Sequence, residues 1–224
     1  PEAPSAARVV YDYYGGKEAF TRIDTELMDA VDKGDSANFT MDEVMAPTDW
    51  SMLNFVMDSR TGLGRFKSFK ISNYDLMMAL IDYCRDHSIT EILALPDVKE
   101  RIDLYIEHKD QFVDQIRRCS TMHDNLVVLD LRGEDTIYAG NRFMIYALYP
   151  ETNISIHAIW GLEKLNTVFA VGKSIFNKTS NTNVGELVLK YGGGGHEAAG
   201  TCQIDNDDSE RVLKELVAQI TTDG

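Results

Sequence analysis

Four consecutive glycines followed by a histidine stand near the C-terminal end, in the stretch YGGGGHEAAG at residues 191–200. Backbone without side chains can approach an anion closely and turn successive N–H groups toward it, as in the concave sites called nests. A histidine beside such a loop adds a hydrogen-bond donor for phosphate when it is protonated. We therefore predict a phosphate-binding segment formed by Gly193, Gly194, Gly195 and His196, with the glycines arranged as a nest.

Three other interpretations of this stretch fit the sequence less well: a helix C-cap, a dinucleotide fingerprint and a P-loop. A helix C-cap followed by a turn needs only one or two glycines, and a lone histidine is more often structural than functional. The spacing Gly193-x-Gly195-x-x-Ala198 resembles a dinucleotide fingerprint, but that motif needs a strand before it and a helix after it. Here a helix is expected before the glycines and a strand after them. A P-loop is excluded because no Gly-Lys-Ser/Thr follows.

The charge distribution favours a small anionic ligand over a long nucleic acid. A formal net charge of −14 opposes non-specific binding of nucleic acid, which depends on neutralising phosphates. Residues 139–204 carry five basic and four acidic side chains, so the excess acid lies elsewhere, where we expect it to form solvated surface. The glycine-rich segment therefore lies in the region that does not repel anions.

Apolar periodicity and capping residues predict the elements that carry these groups. Helices are expected over residues 5–14, 24–32, 73–86, 96–120, 142–149, 183–192 and 209–220. Strands are expected over residues 126–129, 154–160, 167–176 and 199–204, and a carboxylate-rich loop over 33–39. Ser5 is the expected N-cap of the first helix, and Asn183 with Glu186 has the spacing of a capping box. The chain is thus predicted to be an α/β protein with helices before residue 121 and a mixed sheet after it.

Three stretches together resemble one known family. GGGGH followed by small residues and a strand resembles the C-terminal motif of the DHHA1 domain in the DHH phosphoesterase superfamily. PSAARVVY at 4–11 is similar to the helix after that family's Asp-His-His motif, and AVDKGDS at 30–36 sits where its fourth, aspartate-bearing motif belongs. The resemblance covers the whole chain and is to the exopolyphosphatase-like and oligoribonuclease-like branch, which includes nanoRNases and pAp-phosphatases.

The resemblance implies a domain organisation. Residues 1–66 would be the C-terminal part of a DHH-type domain, and 67–120 a helical linker. Residues 121–224 would be a DHHA1-type domain with a mixed β-sheet flanked by helices. For the complete protein it implies a metal-dependent phosphoesterase, either exopolyphosphatase-like or acting on short oligonucleotides or pAp.

The same resemblance implies the roles of individual residues. The second domain would bind substrate phosphate through the predicted glycine segment and His196, with Lys173 and Arg142. Lys173 stands in a strand where many relatives carry an arginine. Its compact ammonium group therefore takes the place of a planar guanidinium that could donate two parallel hydrogen bonds. In the complete protein a two-metal site with Mn²⁺ or Mg²⁺ would supply the hydroxide nucleophile. Asp32 or Asp35 would provide one metal ligand, with Asp32 favoured because it ends an apolar run; helix capping or surface solvation is the alternative for each.

Departures from the family pattern keep a second function class open. The sequence contains no Asp-His-His and opens without methionine, so we expect it to begin after the earlier metal motifs and to be inactive alone. DHHA1-type domains also occur in alanyl-tRNA synthetases, which makes a non-catalytic nucleic-acid-binding module the alternative. Residues 1–66 argue against that alternative, because a free-standing binding module would not need them.

Bulk properties set the remaining expectations. No stretch approaches the roughly 20 apolar residues of a membrane span, so we expect no membrane partner. Three well-separated cysteines in no metal-type spacing favour a reducing cytoplasm. The sequence leaves open polyphosphate, a short oligonucleotide, a cyclic-dinucleotide product or a phosphorylated nucleotide such as pAp as the substrate, and it leaves open whether the protein is a homodimer.

Overall fold

A computed structural model describes residues 3–66 and 69–224, and the chain forms two compact units. Unit 1 consists of Pro1–Asp110 together with Tyr138–Arg142. Unit 2 consists of Gln111–Ile137 and Phe143–Gly224. The short segment Tyr138–Arg142 therefore interrupts the sequence of unit 2 and belongs to unit 1. The three-part organisation predicted from the sequence, whose linker begins at Lys67, outside the described residues, stays a prediction.

The regular secondary structure in the described residues of unit 1 is all helical. Its helices are α1 (Ala6–Tyr13), α2 (Gly16–Ala19), α3 (Thr25–Ser36), α4 (Met41–Met45), α5 (Asp49–Met57), α6 (Asn73–Asp86), α7 (Ile89–Leu93) and α8 (Pro96–Glu107). Two 3₁₀ turns, Ser59–Thr61 and Leu63–Arg65, follow α5. The core of the unit is apolar and contains Leu53, Val56, Leu63, Leu76, Leu80, Ile92, Val98, Tyr105 and Ala139.

Local side-chain caps explain where several of these helices begin. Ser5 accepts a hydrogen bond from the Arg8 backbone N–H at 2.9 Å, and Ser72 accepts one from the Asp75 N–H at 3.0 Å. Each cap satisfies a backbone donor that the first turn of a helix leaves without an internal partner. The predicted first helix and the predicted helix over 73–86 are confirmed.

Two helix predictions are corrected. The helix starting at Thr25 was expected to end at Asp32, but α3 continues to Ser36 and stops where Ala37 adopts a left-handed conformation with φ of 52°. The single long helix expected over 96–120 is two helices, α8 and α9 (Lys109–Cys119), separated at His108. Nδ1 of His108 accepts a hydrogen bond from the backbone N–H of Ala139, a contact with no local sequence signal.

Unit 2 is built on a six-stranded mixed sheet. After α9 its elements are β1 (Ser120–His123), β2 (Leu126–Asp130), α10 (Met144–Leu148), β3 (Ile154–Trp160), β4 (Asn166–Lys173), α11 (Val184–Leu189), β5 (Gly194–His196), β6 (Ala199–Asp205) and α12 (Ser209–Asp223). The strand order is β1-β2-β3-β4-β6-β5; β2 and β3 are parallel and the other neighbours antiparallel. The predicted α/β class with a mixed sheet is confirmed.

The strands bury their side chains as their positions in the sheet require. In β4 the buried residues alternate, so one face of that strand points into the core, whereas β2 is buried at four successive positions. The core joins the sheet to α11 and α12 through Ile156, Phe169, Val184, Leu187 and Leu216.

The strand expected over 167–176 ends at Lys173, and the helix expected over 142–149 begins at Met144. Among the described residues, no helix has both the length and the apolar character that spanning a bilayer requires.

Candidate functional site

The glycines lie in the hairpin formed by β5 and β6, at one edge of the sheet. Gly195 pairs with Gly200 across the hairpin. A Cβ on Gly195 would overlap the carbonyl oxygen of Ala199, and a Cβ on Gly193 would overlap the carbonyl oxygen of Thr201. Glycine is required at both positions because the two backbones approach too closely for any side chain.

Helix α11 packs directly on the backbone of this hairpin. A Cβ on Gly185 would lie 3.2 Å from the carbonyl carbon and oxygen of Gly195, so the helix contacts the strand without an intervening side chain. The first N–H of the helix, at Val184, donates to the carbonyl of Glu197 at 3.1 Å. The hairpin turn is therefore fixed to the start of α11.

The glycines do not adopt the nest conformation predicted from the sequence. Of the four, only Gly192 has a positive φ, at 73°, and Gly194 and Gly195 are extended and paired with β6. A nest alternates right- and left-handed residues, which strand pairing excludes. A Cβ on Gly194 would meet no atom within 4 Å, so this position alone among Gly193, Gly194 and Gly195 leaves open space beside the backbone.

His196 ends β5 with an exposed side chain. Its Nδ1 accepts a hydrogen bond of 3.3 Å from the backbone N–H of Ala198. A neutral ring with an accepting Nδ1 carries its proton on Nε2, which leaves Nε2 as a donor. The ring is thus oriented by its own turn and offers one N–H to a ligand.

Lys173, at the end of β4, is joined to the same turn. Its backbone N–H donates to the carbonyl of Ala198 at 2.8 Å. Its Nζ lies 3.5 Å from Oε1 of Glu197, with side-chain exposures of 15% for the lysine and 79% for the glutamate. The structure therefore brings Lys173 and His196 together at one corner of the sheet.

Buried polar contacts stabilise the backbone of β4 next to Lys173. The Tyr146 hydroxyl donates to the carbonyl of Gly172 at 2.6 Å and lies 2.7 Å from Oγ of Ser155. Both side chains are buried. Because Gly172 immediately precedes Lys173, these contacts fix the backbone from which the lysine extends.

The predicted grouping of Arg142 with the glycines stays a prediction. Arg142 belongs to unit 1, in the segment Tyr138–Arg142. Its Nε lies 3.4 Å from Oδ2 of Asp58. The structure therefore places the guanidinium of Arg142 beside the carboxylate of Asp58.

The two predicted metal ligands both lie on α3, in unit 1. Asp32 accepts hydrogen bonds from Oγ of Ser5 at 2.6 Å and from Nε of Arg8 at 2.7 Å. Burial alone would raise the pKa of Asp32, but these hydrogen bonds and the charge of Arg8 hold it below its ordinary value. Asp35, one turn further along, is exposed. Only Asp32 is thus committed to a structural ion pair.

Comparison with solved structures identifies the family. The pGpG-specific phosphodiesterase PggH from Vibrio cholerae is 63% identical, with a TM-score of 0.86, over 100% of this chain and 75% of that chain. This chain belongs to the DHH phosphoesterase superfamily. As a DHH phosphodiesterase it is a phosphoric ester hydrolase. The predicted resemblance is confirmed.

A more distant match agrees with this assignment at the level of fold. The DHH domain of a member of the S1p family of ribosomal proteins is 14% identical, with a TM-score of 0.51, over 93% of this chain and 52% of that chain. A scan against protein-family models and a search of curated proteins found no match. The DHH assignment therefore depends on the PggH match.

DHH phosphodiesterases generally depend on divalent metal ions. The described residues of this chain do not fit such a site by themselves. They contain no group of three histidine, cysteine or acidic side chains near enough to share an ion. Both carboxylate oxygens of Asp32 are already used by Ser5 and Arg8, which leaves Asp35 as the less committed of the two predicted ligands.

Three residues of this DHH protein's corner were not predicted from the sequence. Glu197 had a signal available, because it directly follows His196 in the motif. Tyr146 and Ser155 had none, since the contact from Tyr146 to Gly172 spans 26 residues. Such supporting residues are identified only by the folded structure.

Proposed function

We propose that this protein hydrolyses short 5′-phosphorylated oligonucleotides of the pGpG type to mononucleotides. The observation that carries the proposal is the 63% identity, over the whole chain, to a protein named as a pGpG-specific phosphodiesterase. Among the substrates that the sequence leaves open, this favours a dinucleotide over polyphosphate and pAp.

In this proposal the corner at β5 and β6 binds a phosphate of the substrate. Nε2 of His196 donates a hydrogen bond, and its direction is set by the Ala198 N–H on the opposite side of the ring. The ammonium group of Lys173 exchanges its 3.5 Å contact with Glu197 for the phosphate. The open space beside Gly194 lets the phosphate approach the backbone, while Gly193 and Gly195 keep the strand in place.

We further propose that hydrolysis depends on Mn²⁺ or Mg²⁺ bound at a two-metal site of the complete protein. When bound, the metal ions would stabilise the charge that develops on the phosphate oxygens. Asp35 is the better candidate for a ligand from this chain, since Asp32 is held by Arg8. We place the protein in the cytoplasm, because Cys84, Cys119 and Cys202 are all free thiols.

The alternative of a non-catalytic nucleic-acid-binding module has less support. The net charge of −14 repels a polyanion outside a focused site. A binding module would also retain an RNA long enough to span several contacts without cleaving it. An assay of substrate hydrolysis therefore separates the phosphodiesterase from the binding module.

The test uses the intact protein with pGpG, pAp and polyphosphate, each with Mn²⁺, with Mg²⁺ or with excess chelator. We expect metal-dependent conversion of pGpG to GMP, measured by liquid chromatography. Turnover of pAp and of polyphosphate should be much slower. Circular dichroism on the same preparation establishes that it is folded. Absence of metal-dependent turnover on all three substrates would refute the proposal, whereas rapid turnover of pAp or polyphosphate alone would move the protein to another branch.

A further inference from the structure

Helix α6 of unit 1 has two apolar faces. One of them carries Leu76 and Leu80, which are buried in the core of the unit. The other, which we call the α6 stripe, consists of four large residues that are 49–66% exposed, namely Tyr74, Met77, Met78 and Ile81. Their spacing of i, i+3, i+4 and i+7 places them on one side of the helix. Because the core already holds α6 through its buried face, the fold does not require burial of the stripe.

Charged residues begin where the stripe ends. Arg85, one turn after Ile81, pairs with Asp82 at 2.9 Å and with Asp86 at 2.8 Å. An apolar centre with a polar border is the arrangement of a protein–protein contact surface, where tyrosine and methionine are enriched. A contiguous exposed apolar patch of this kind marks an interaction surface, whereas single exposed apolar residues do not.

The α6 stripe has the same pattern in both directions along the helix. Tyr74 stands three residues before the two methionines, and Ile81 stands three residues after them. The pattern is therefore symmetric about the midpoint of the methionine pair. A two-fold interface uses the same surface on both subunits, which must be complementary to itself. A symmetric stripe meets this condition, because each apolar residue then lies opposite another.

We propose that a second copy of this chain covers the α6 stripe, with the two helices antiparallel about a two-fold axis at its midpoint. The four methionines of the pair meet at the axis, and Tyr74 of each copy lies opposite Ile81 of the other. Antiparallel helices also bring opposite ends of their macrodipoles together. The dimer is independent of the proposed hydrolytic function and goes beyond it.

The size of the stripe limits the strength of the dimer. Four large side chains at about half exposure present on the order of 400 Å² on each copy, a patch as large as monomeric proteins usually expose. The two stripes together bury roughly 800 Å², less than the roughly 1,200–2,000 Å² of a stable complex. The formal net charge of −14 on each chain adds repulsion between the copies. The dimer should therefore be weak, and it should become tighter when salt screens the repulsion.

Sedimentation velocity of the full chain, from low micromolar to near-millimolar concentration, tests the association. We expect the mean mass to rise from that of one chain toward that of two, and to do so at lower concentration in high salt. Met78→Glu should raise the dimer Kd roughly tenfold or more, because the two-fold axis brings the two new carboxylates together. Leu189→Glu, at a 66% exposed position on α11, is the matched control and should associate as the wild type does.

Thermal unfolding establishes that both glutamate variants are folded. A wild type that stays monomeric at every concentration would overturn the proposal and leave the stripe to a partner of different sequence. Association that is unchanged in Met78→Glu would also overturn it, since the dimer would then use another surface.

Cysteine cross-linking tests the antiparallel arrangement, in chains whose native α6 thiol is removed by Cys84→Ala. Met78→Cys should form a disulfide-linked dimer on mild oxidation, because position 78 lies beside the axis. Tyr74→Cys should not, because its two copies lie about 10 Å apart along the helices, beyond the roughly 7 Å between Cα atoms that a disulfide spans. Cys84→Ala alone is the control. Cross-linking of Tyr74→Cys as fast as that of Met78→Cys, or of neither, would overturn the antiparallel pairing.

Discussion

The backbone N–H of Ala198 donates a 3.3 Å hydrogen bond to Nδ1 of His196. An imidazole nitrogen accepts only when it carries no proton, so this bond places the ring hydrogen of the neutral form on Nε2. Since the side chain is exposed, Nε2 can meet a ligand without any rearrangement of the hairpin. The orientation of the donor is therefore a property of the turn itself.

His196→Ala should weaken pGpG binding by about 1.5–3 kcal/mol, the usual contribution of a hydrogen bond to a charged group. His196→Gln should lose less, because its amide keeps a donor near the position of Nε2. Neither change should move the melting temperature appreciably, since the ring is exposed. Calorimetric titration and thermal unfolding measure the two effects. Wild-type affinity in both variants would remove His196 from the site.

Gly194→Ala and Gly195→Ala should affect different properties. A Cβ at Gly194 meets open space on extended backbone, so Gly194→Ala should leave stability unchanged or raise it by about 0.4–1 kcal/mol. It should nevertheless weaken pGpG binding, because the Cβ occupies the space through which phosphate would approach. Gly195→Ala should lower the free energy of unfolding by about 1–3 kcal/mol, because its Cβ overlaps the Ala199 carbonyl oxygen.

Urea unfolding and substrate titration on both glycine variants check these outcomes. If Gly194→Ala binds pGpG as the wild type does, phosphate does not approach the backbone there. If Gly195→Ala is as stable as the wild type, the close pairing of β5 with β6 is not required for the fold.

Lys173→Met and Glu197→Gln should change affinity in opposite directions. Methionine keeps the mostly buried stem of Lys173 and removes its charge, so pGpG should bind at least about 1 kcal/mol more weakly. Glutamine at the exposed Glu197 frees the ammonium group, which should strengthen binding by up to about 1 kcal/mol, the range of an exposed ion pair. Titrations at low and high salt measure both, and the gain should shrink with salt. A loss of affinity in Glu197→Gln would mean that the carboxylate assists binding.

Asp58 should make stability depend on pH in the acid range. Burial alone would raise the pKa of Asp58, but hydrogen bonds from the side chain and backbone of Arg60, with the charges of Arg60 and Arg142, hold it below its ordinary value. The folded state therefore binds this proton less readily than the unfolded chain does. The resulting stabilisation is fully present above the unfolded pKa of about 3.9 and is lost as pH falls through the folded value.

Urea unfolding of wild type and Asp58→Asn between pH 3 and pH 7 tests this dependence. The variant should be less stable by about 1–2 kcal/mol at pH 7, and the difference should shrink below about pH 4. Asp35→Asn, at an exposed position on α3, is the control and should differ little from wild type throughout. A difference for Asp58→Asn that is constant with pH would contradict the ionic role of Asp58.

Local signals predicted the elements that are stabilised locally. Ser5 and Asn183 cap their helices as their types and spacing indicate, and strand β3 matches its apolar run. The break at His108 was not predictable, because the apolar pattern continues through it and its partner Ala139 lies 31 residues away. Locally determined structure is thus readable from the sequence, while structure held by distant contacts is not.

The candidate site shows the same limit. GGGGH indicated the right segment, but polyglycine has no strong local preference, so only β6 and α11 determine that it forms a strand. Arg142 stood close to the glycine-rich region in sequence, yet Thr61 and Asp58 hold its segment in unit 1. The sequence therefore identified functional residue types better than it identified their partners.

The membership of Tyr138–Arg142 in unit 1 also imposes an order on biosynthesis. Ala139 is part of that unit's core, but the ribosome makes it only after Gln111–Ile137, which belong to unit 2. At about 5–20 residues per second, the nascent chain spends on the order of seconds with its first unit incomplete. During that interval the apolar surface that packs on Ala139 is uncovered, so unit 1 cannot be completed until the chain has been synthesised through Arg142.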